Sequence, residues 1–316
     1  MLCPAPSRQI APRSLLEPPK QLTGAGQHRK IELQLKASGT ESMQVKFWGV
    51  RGSTPTPQAG NLRYGGNTSC VEVRFGNNLF VFDCGTGFRS LGQQLESESN
   101  GKPISAHIFV SHFHWDHIQG IPFFRPLYEN SQNQFSFHSS RRTRSLQRVM
   151  EEQMASPYFP VNTSEMKAQR DFYDMEEGET RLADATMRAL WLNHPQGCMG
   201  FRLETQDGIL VYATDNEPGD ELFDRNVRKL ADGANVLIYD SQYLPGEYEA
   251  RRRGWGHSHW REAINVVMES GAEELVLFHH DPDHDDSVID GVVQEARNYY
   301  PRVRAAAEGM ELQISR

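Results

Sequence analysis

A chain of 316 residues with a formal net charge of −8 is long enough for one large core, and it lacks the overall basic charge of a general nucleic-acid binder, although a local basic patch stays open. No apolar run reaches the length of a membrane span, and no secretory apolar segment is evident. The four cysteines, Cys3, Cys70, Cys84 and Cys198, form no Cys-x-x-Cys pair and read as small buried packing residues, so no disulfide framework is indicated and a reducing cytoplasm is expected.

In chain order, residues 1–42 stand apart. They hold five prolines, little periodicity, and six basic against three acidic side chains. That composition predicts a disordered extension, with a translation start at Met43 as a further reading. One domain is expected over 43–316. Gln44–Val50, Cys70–Phe75 and Leu79–Phe82 read as strands, with Arg51–Asn67 as a long Gly-, Pro- and Thr-rich loop. Phe88–Glu98 reads as a helix and Ile104–Val110 as a strand. Leu146, Val149, Met150 and Met154 fall at helical spacing between Arg141 and Met154. Pro157–Glu179 reads as an irregular aromatic segment able to cover a site. Strands resume with Met187–Leu192, Gly208–Thr214, Val236–Tyr239 and Leu275–Phe278. Trp260–Met268 and Ser287–Tyr299 read as helices, and Met310–Ile314 as a last strand. Trp191 and Trp260 read as core, and no short repeat is present.

The most telling run is His112-Phe113-His114-Trp115-Asp116-His117, directly after the apolar Ile108-Phe109-Val110. A tight loop at a strand end can aim three imidazoles and a carboxylate into one cavity, and these donors suit zinc and similar divalent ions. His194, Asp215 and His279 each follow an apolar strand-like run, where open sheets tend to place ligands. His112, His114, His194 and Asp215 would hold one metal. Asp116, His117, Asp215 and His279 would hold the other, with Asp215 as bridge and room for a shared water. His280 is an alternative to His279. Asp281, Asp283, His284, Asp285 and Asp286 read as a solvated loop capping the next helix.

HFHWDH with the downstream His, Asp and His resembles the metallo-β-lactamase superfamily. Phe82-Asp83-Cys84-Gly85-Thr86-Gly87 looks like its first motif, a structural Asp and Gly turn beneath the metal loop. The resemblance runs from about Met43 onward and implies an α/β fold, a four-layer αββα sandwich of two similar halves with the metals at one edge. Phe47-Trp48-Gly49-Val50-Arg51-Gly52-Ser53 and Tyr64-Gly65-Gly66-Asn67-Thr68-Ser69 resemble the branch of phosphoribosyl 1,2-cyclic phosphodiesterase and cyclic-nucleotide phosphodiesterases. Arg51 reads equally as a phosphate contact or a turn arginine. Gly256-His257-Ser258-His259 resembles the His-x-Thr element of ribonuclease Z, whose histidine protonates the leaving oxygen. His257 matches that histidine and His259 stands at the threonine position. Asp240 matches the carboxylate that orients the histidine, and a helix-capping pair is the other reading of His257 and His259. No long Gly/Pro-rich arm of the kind with which ribonuclease Z grips tRNA is seen.

Two adjacent divalent ions can activate a shared water and clamp an oxyanion, and no nucleophilic Ser or Cys motif is present. Hydrolysis by a metal-held water is therefore expected. The cofactors are two divalent metals, zinc first, with manganese or iron as alternatives. Asp116 counts as a catalytic residue with His257 and Asp240, because it makes the site oxygen-rich and suited to phosphoryl groups. The expected substrate is a small, nucleotide-like, cyclic phosphodiester. RNA 3′-processing of the ribonuclease Z type, thioester or lactone hydrolysis, and a non-catalytic metal-holding sensor are the alternatives. No membrane partner is expected, and a homodimer is left open. The groups Arg141, Arg142, Arg144 and Arg251, Arg252, Arg253 are either solvated surface or phosphate contacts.

Overall fold

The computed structural model describes residues 42–315, apart from Thr143 and Ala183. The expectation of a disordered 1–42 extension therefore lies outside the described residues but for Ser42, and so does Cys3. Fourteen strands follow in order: β1 (Met43–Gly49), β2 (Cys70–Phe75), β3 (Asn78–Phe82), β4 (Ser105–Val110), β5 (Gln134–Ser140), β6 (Gln169–Met175), β7 (Gly178–Leu182), β8 (Ala185–Leu192), β9 (Cys198–Glu204), β10 (Ile209–Ala213), β11 (Val236–Asp240), β12 (Glu274–Phe278), β13 (Val303–Ala305) and β14 (Glu311–Ile314). The helices are α1 (Gly87–Ser99), α2 (Trp115–Ile118), α3 (Pro126–Glu129), α4 (Leu146–Gln153), α5 (Glu221–Ala231), α6 (Pro245–Glu247), α7 (Trp260–Ser270) and α8 (Asp286–Arg297).

The strands form two seven-stranded sheets, ordered β14-β1-β2-β3-β4-β5-β6 and β13-β12-β11-β10-β9-β8-β7. In each sheet three antiparallel pairings give way to three parallel ones, at β3–β4 in the first and β10–β11 in the second. The halves are thus alike in topology, as the resemblance implied.

Alternation along the strands decides the layers. Val45, Phe47, Val71, Phe82 and Phe109 point from the first sheet into a shared core with Met187, Phe201, Tyr212, Ile238 and Phe278 of the second. Phe82 stacks on Tyr212 across the sheets at 5.3 Å between ring centroids. The opposite faces are also apolar. Val81, Ile108 and Phe135 pack under α1 and α4 through Phe88, Leu91 and Met150. Val211, Leu237 and Leu275 pack under α5, α7 and α8 through Leu230, Ile264, Val267 and Ala296. Strands buried on both faces read as continuous apolar runs, and helices cover both outer faces. The result is an αββα sandwich. Among the described residues no helix is long and apolar enough to cross a membrane.

Some elements differ from expectation. Pro157–Glu179 is not wholly irregular, because it contains β6 and the start of β7. Both are edge strands, and edges carry charged side chains that erase the apolar alternation; Arg170, Asp171 and Asp174 do so in β6. The helix within 141–154 begins only at Leu146, where Ser145 accepts the Arg148 N–H at 3.4 Å as its N-cap. Trp260 is buried, but Trp191 is only half-buried, with Arg142 over its ring at 5.0 Å.

Candidate metal centre

The parallel strands end on one edge of the sandwich, and that edge holds the site. Asp83 follows β3, and His112 follows β4 by two residues. His114 is the N-cap of α2, whose single turn presents Asp116 and His117. His194 follows β8, Asp215 follows β10, Asp240 ends β11 and His279 follows β12. Asp83, Asp215 and His279 have φ of 60°, 56° and 62°. Left-handed backbone at non-glycine residues costs of order 1–3 kcal/mol and clusters at functional sites. Gly85 lets the first motif lie directly beneath the metal loop, since a Cβ there would sit 2.3 Å from the Asp116 carbonyl oxygen.

The residues anticipated as ligands converge in two trios. The ligand atoms of His112, His114 and His194 lie within 4.8 Å of one another, and so do those of Asp116, His117 and His279. Asp215 stands between the trios. Its Oδ1 is 3.6 Å from Nε2 of His112 and of His194. Its Oδ2 is 3.3 Å from His117 Nε2 and 3.4 Å from His279 Nε2. One carboxylate oxygen thus faces each trio.

The comparisons with known proteins agree with this geometry. A model of the beta-lactamase superfamily domain matches residues 78–280, well over half of the chain. The chain belongs to that superfamily. A ribonuclease Z of Haloarcula marismortui is 25% identical over 315 residues, covering 86% of this chain and 97% of the relative. The metallo-beta-lactamase fold protein YhfI from Bacillus subtilis superposes with a TM-score of 0.63 at 18% identity, over 87% of this chain and 100% of that one. A diphosphatase of the PhnP family gives 0.63 at 16%, over 87% and 99%. The protein is a metallo-β-lactamase-fold hydrolase, and its fold implies the use of divalent metal.

The side chains of this hydrolase fit a metal. His112 Nε2 is buried with no hydrogen-bond partner. Elsewhere ring nitrogens of different histidines lie close together. His194 Nε2 lies 3.1 Å from His114 Nδ1, and His117 Nε2 lies 3.3 Å from His279 Nε2. Two nitrogens on one tetrahedral zinc at about 2.0–2.1 Å would be roughly 3.3 Å apart. Burial pushes the His112 imidazole well below its ordinary pKa and His194 down to about 4, which keeps both neutral, as ligands must be.

Outer hydrogen bonds fix which nitrogen faces the cavity, as second-layer partners do around metals. His117 Nδ1 is 2.8 Å from Asp83 Oδ2, and Asp83 also accepts from the Ser111 N–H at 2.7 Å and the Tyr212 hydroxyl at 2.8 Å. His194 Nδ1 is 2.7 Å from the Gly256 carbonyl oxygen, and His279 Nδ1 is 2.9 Å from Gln242 Oε1. The Ser53 N–H donates to Asp116 Oδ2 at 2.7 Å. Gln242, Ser53 and Ser111 were not anticipated. Gln242, two residues past Asp240 at the same strand end, could have been found by its position.

His257 Nδ1 meets Asp240 Oδ2 at 2.9 Å. Its ring lies 5.1 Å from His194 and 5.0 Å from His279, between centroids, and so borders both trios. Burial opposes its protonation, but Asp240, with Asp215 and Asp116 behind it, holds the imidazolium and raises its pKa to about 9. His259 does something else: it is the N-cap of α7, its Nδ1 accepting the Glu262 N–H at 3.2 Å. The helix-capping reading therefore describes His259 and not His257. His280 turns away from the site and meets the Ala306 carbonyl oxygen at 2.9 Å.

Arg51 is a correction to the phosphate reading. It is fully buried and holds the carbonyl oxygens of Gly65, Asp281 and His284 at 2.8, 3.1 and 2.6 Å, so its guanidinium ties loops together. Asp285 caps α8 through the Ser287 and Val288 N–H groups. Arg141 pairs with Asp174, Arg144 with Glu152 and Arg253 with Glu249. Arg252 instead lies over the rings of Tyr243 and Trp255, at 5.5 and 4.5 Å. Among the described residues Cys70, Cys84 and Cys198 are buried and unpaired.

Proposed function

We propose that the protein is a two-metal phosphodiesterase acting on a nucleotide-like phosphodiester, cyclic in the first reading. The observation that carries it is the His257–Asp240 pair at 2.9 Å, set against the rings of both ligand trios. Two divalent ions held by His112, His114, His194, Asp116, His117 and His279 with Asp215 between them would activate a water and neutralise phosphoryl charge; zinc, manganese and iron all suit this donor set.

The chain's own groups supply the rest. Asp240 accepts from His257 Nδ1, fixes the ring and favours its protonated form. The remaining nitrogen, Nε2, can then deliver a proton to a departing oxygen. A sugar alkoxide needs that proton, whereas a thiolate leaves readily without it, so the dyad favours a phosphodiester over a thioester. Asp83 and Gln242 hold His117 and His279 so that Nε2 of each faces the cavity. The names of the relative and of the neighbour, ribonuclease Z and a diphosphatase, agree with phosphorus–oxygen chemistry.

RNA 3′-processing is the second reading, favoured by the ribonuclease Z relative that matches 86% of this chain. Turnover should be measured on bis-(p-nitrophenyl) phosphate, cyclic mono- and dinucleotides, phosphoribosyl cyclic phosphate and a tRNA precursor, each with zinc, manganese and iron. The expected result is hydrolysis of the activated diester and of a cyclic diester in preference to the precursor. Preferred cleavage of the precursor would move the assignment to the RNA enzyme. Thioester hydrolysis without any diester turnover would overturn both.

A further inference from the structure

A groove of about 990 Å³ opens beside α2, walled by Phe113, Trp115, Phe123, Tyr158 and Phe159. Trp115 is 80% exposed and Tyr158 83%. The chain has five tryptophans. Lys46 lies over Trp48, Arg142 over Trp191, Arg252 over Trp255 and Arg261 over Trp260. Among the described residues no cation and no aromatic ring covers Trp115. Its position gives that bare indole meaning. Trp115 stands between His114 and Asp116, one from each ligand trio, and two of the groove's walls, Phe113 and Gln196, also border the space in front of His112, so the groove lies beside the metal centre.

The groove's chemistry narrows the occupant. Its two charged walls, Arg144 and Glu152, pair with each other. No net charge is left to draw a phosphate or an anionic headgroup. Gln119, Gln153 and Gln196 also line it; the Gln119 and Gln153 amides already donate to the Thr68 hydroxyl and the Ile118 carbonyl oxygen, at 3.2 and 3.4 Å, which leaves their side-chain oxygens to accept from a ligand's edge. A flat, uncharged ring with hydrogen-bonding edges, attached to a phosphodiester, is a nucleobase. Unpaired bases are held by stacking on exposed aromatic side chains.

We propose that this groove seats an unpaired nucleobase of the substrate, with Trp115 as its stacking face. The proposal rests on the phosphodiesterase reading and adds to it that the substrate carries a base next to the scissile phosphate. Loss of one stacking contact typically weakens binding by about five- to a hundredfold.

Two measurements test it in the metal-loaded full chain. In the first, kcat/KM is compared for thymidine 5′-p-nitrophenyl phosphate and methyl p-nitrophenyl phosphate, which share a leaving group and differ in the base. The wild type should favour the thymidine ester. Trp115→Ala should shrink that preference by about tenfold, chiefly through KM, and Trp115→Phe should keep most of it. In the second, calorimetry compares adenosine 5′-monophosphate with ribose 5-phosphate. The wild type should bind the nucleotide at least about tenfold tighter, and Trp115→Ala should erase the difference. A nucleotide preference without turnover of either diester would sink the phosphodiesterase reading and keep the base seat. No base preference in either measurement overturns the base seat, as does an equal loss on both diesters in Trp115→Ala. Self-association or vesicle binding that depends on Trp115, without base preference, overturns it in favour of another occupant.

Discussion

One ring nitrogen of His257 is committed to Asp240, and that division of labour gives the sharpest test at the scale of single residues. A positioned general acid contributes about 10²–10⁴-fold where the leaving group is poor. His257→Ala should therefore lower kcat by about that factor on a natural phosphodiester, and far less on a p-nitrophenyl ester whose leaving group departs as a stable anion. Metal content should not change. His259→Ala should cost less, because His259 only caps α7; loss of a cap is worth about 0.5–2 kcal/mol of stability. Equal kcat losses for His257→Ala on the two esters would take the acid role from His257, and a larger loss in the His259 variant would pass it to that neighbour. Asp215 carries a different expectation. Because Oδ1 faces one trio and Oδ2 the other, Asp215→Ala should lose both metals, or one metal with nearly all activity, as elemental analysis would show. Full loading in that variant would rule out a bridge.

At the scale of elements, the loop before α7 shows how a histidine is aimed. Glu217 accepts the Gly254 and Gly256 N–H groups, at 2.5 and 2.8 Å, and the clamped loop gives its Gly256 carbonyl to His194. Gly256 has a φ of 86°, and a Cβ there would lie 2.3 Å from Pro195 Cδ and 2.4 Å from His194 Nδ1. Gly256→Ala should thus cost backbone strain of about 1–3 kcal/mol and also displace His194. Weaker metal retention and at least about a tenfold loss of kcat are expected, seen by equilibrium dialysis and kinetics. Normal metal retention with only a lowered Tm would confine Gly256 to a folding role. Such loops also mark where the sequence stopped being legible. The metal loop could be read because its donors are adjacent, and His194, Asp215 and His279 because each ends an apolar run. Ser53 and Glu217 could not, since each is a residue type common in any loop and acts through one or a few hydrogen bonds. His257 and His259 lie two residues apart, and only the entry of α7 separates a histidine in the site from one that caps a helix. β6 was hidden by the charges that edge strands carry.

At the scale of the whole molecule, the halves meet at the site. His112, His114, Asp116 and His117 come from the first sheet's side, and His194, Asp215 and His279 from the second. Met43 itself opens β1 and pairs with Ile314 of β14. A chain beginning at Met43 would keep every strand pairing seen among the described residues, and it should retain its thermal stability and turnover; a marked fall in either would make residues 1–42 part of the working fold. Metal removal should act on the whole. A metal that bridges two halves binds the folded chain and not the unfolded one, so it stabilises by mass action, about 2.7 kcal/mol at a free concentration one hundred times Kd. For a domain of this size each kcal/mol moves Tm by about 2–4 °C. The chelator-stripped protein should then melt roughly 5–10 °C below the loaded one. Returning zinc or manganese should restore Tm progressively as the free metal concentration rises. The dependence is the telling part. Each trio draws on both halves, His194 joining His112 and His114, and His279 joining Asp116 and His117, so bound metal should raise the melting of both halves as one transition. A Tm indifferent to free metal would remove the centre from the molecule's stability. Two separate transitions, only one of them metal-dependent, would show that the metal centre does not couple the halves.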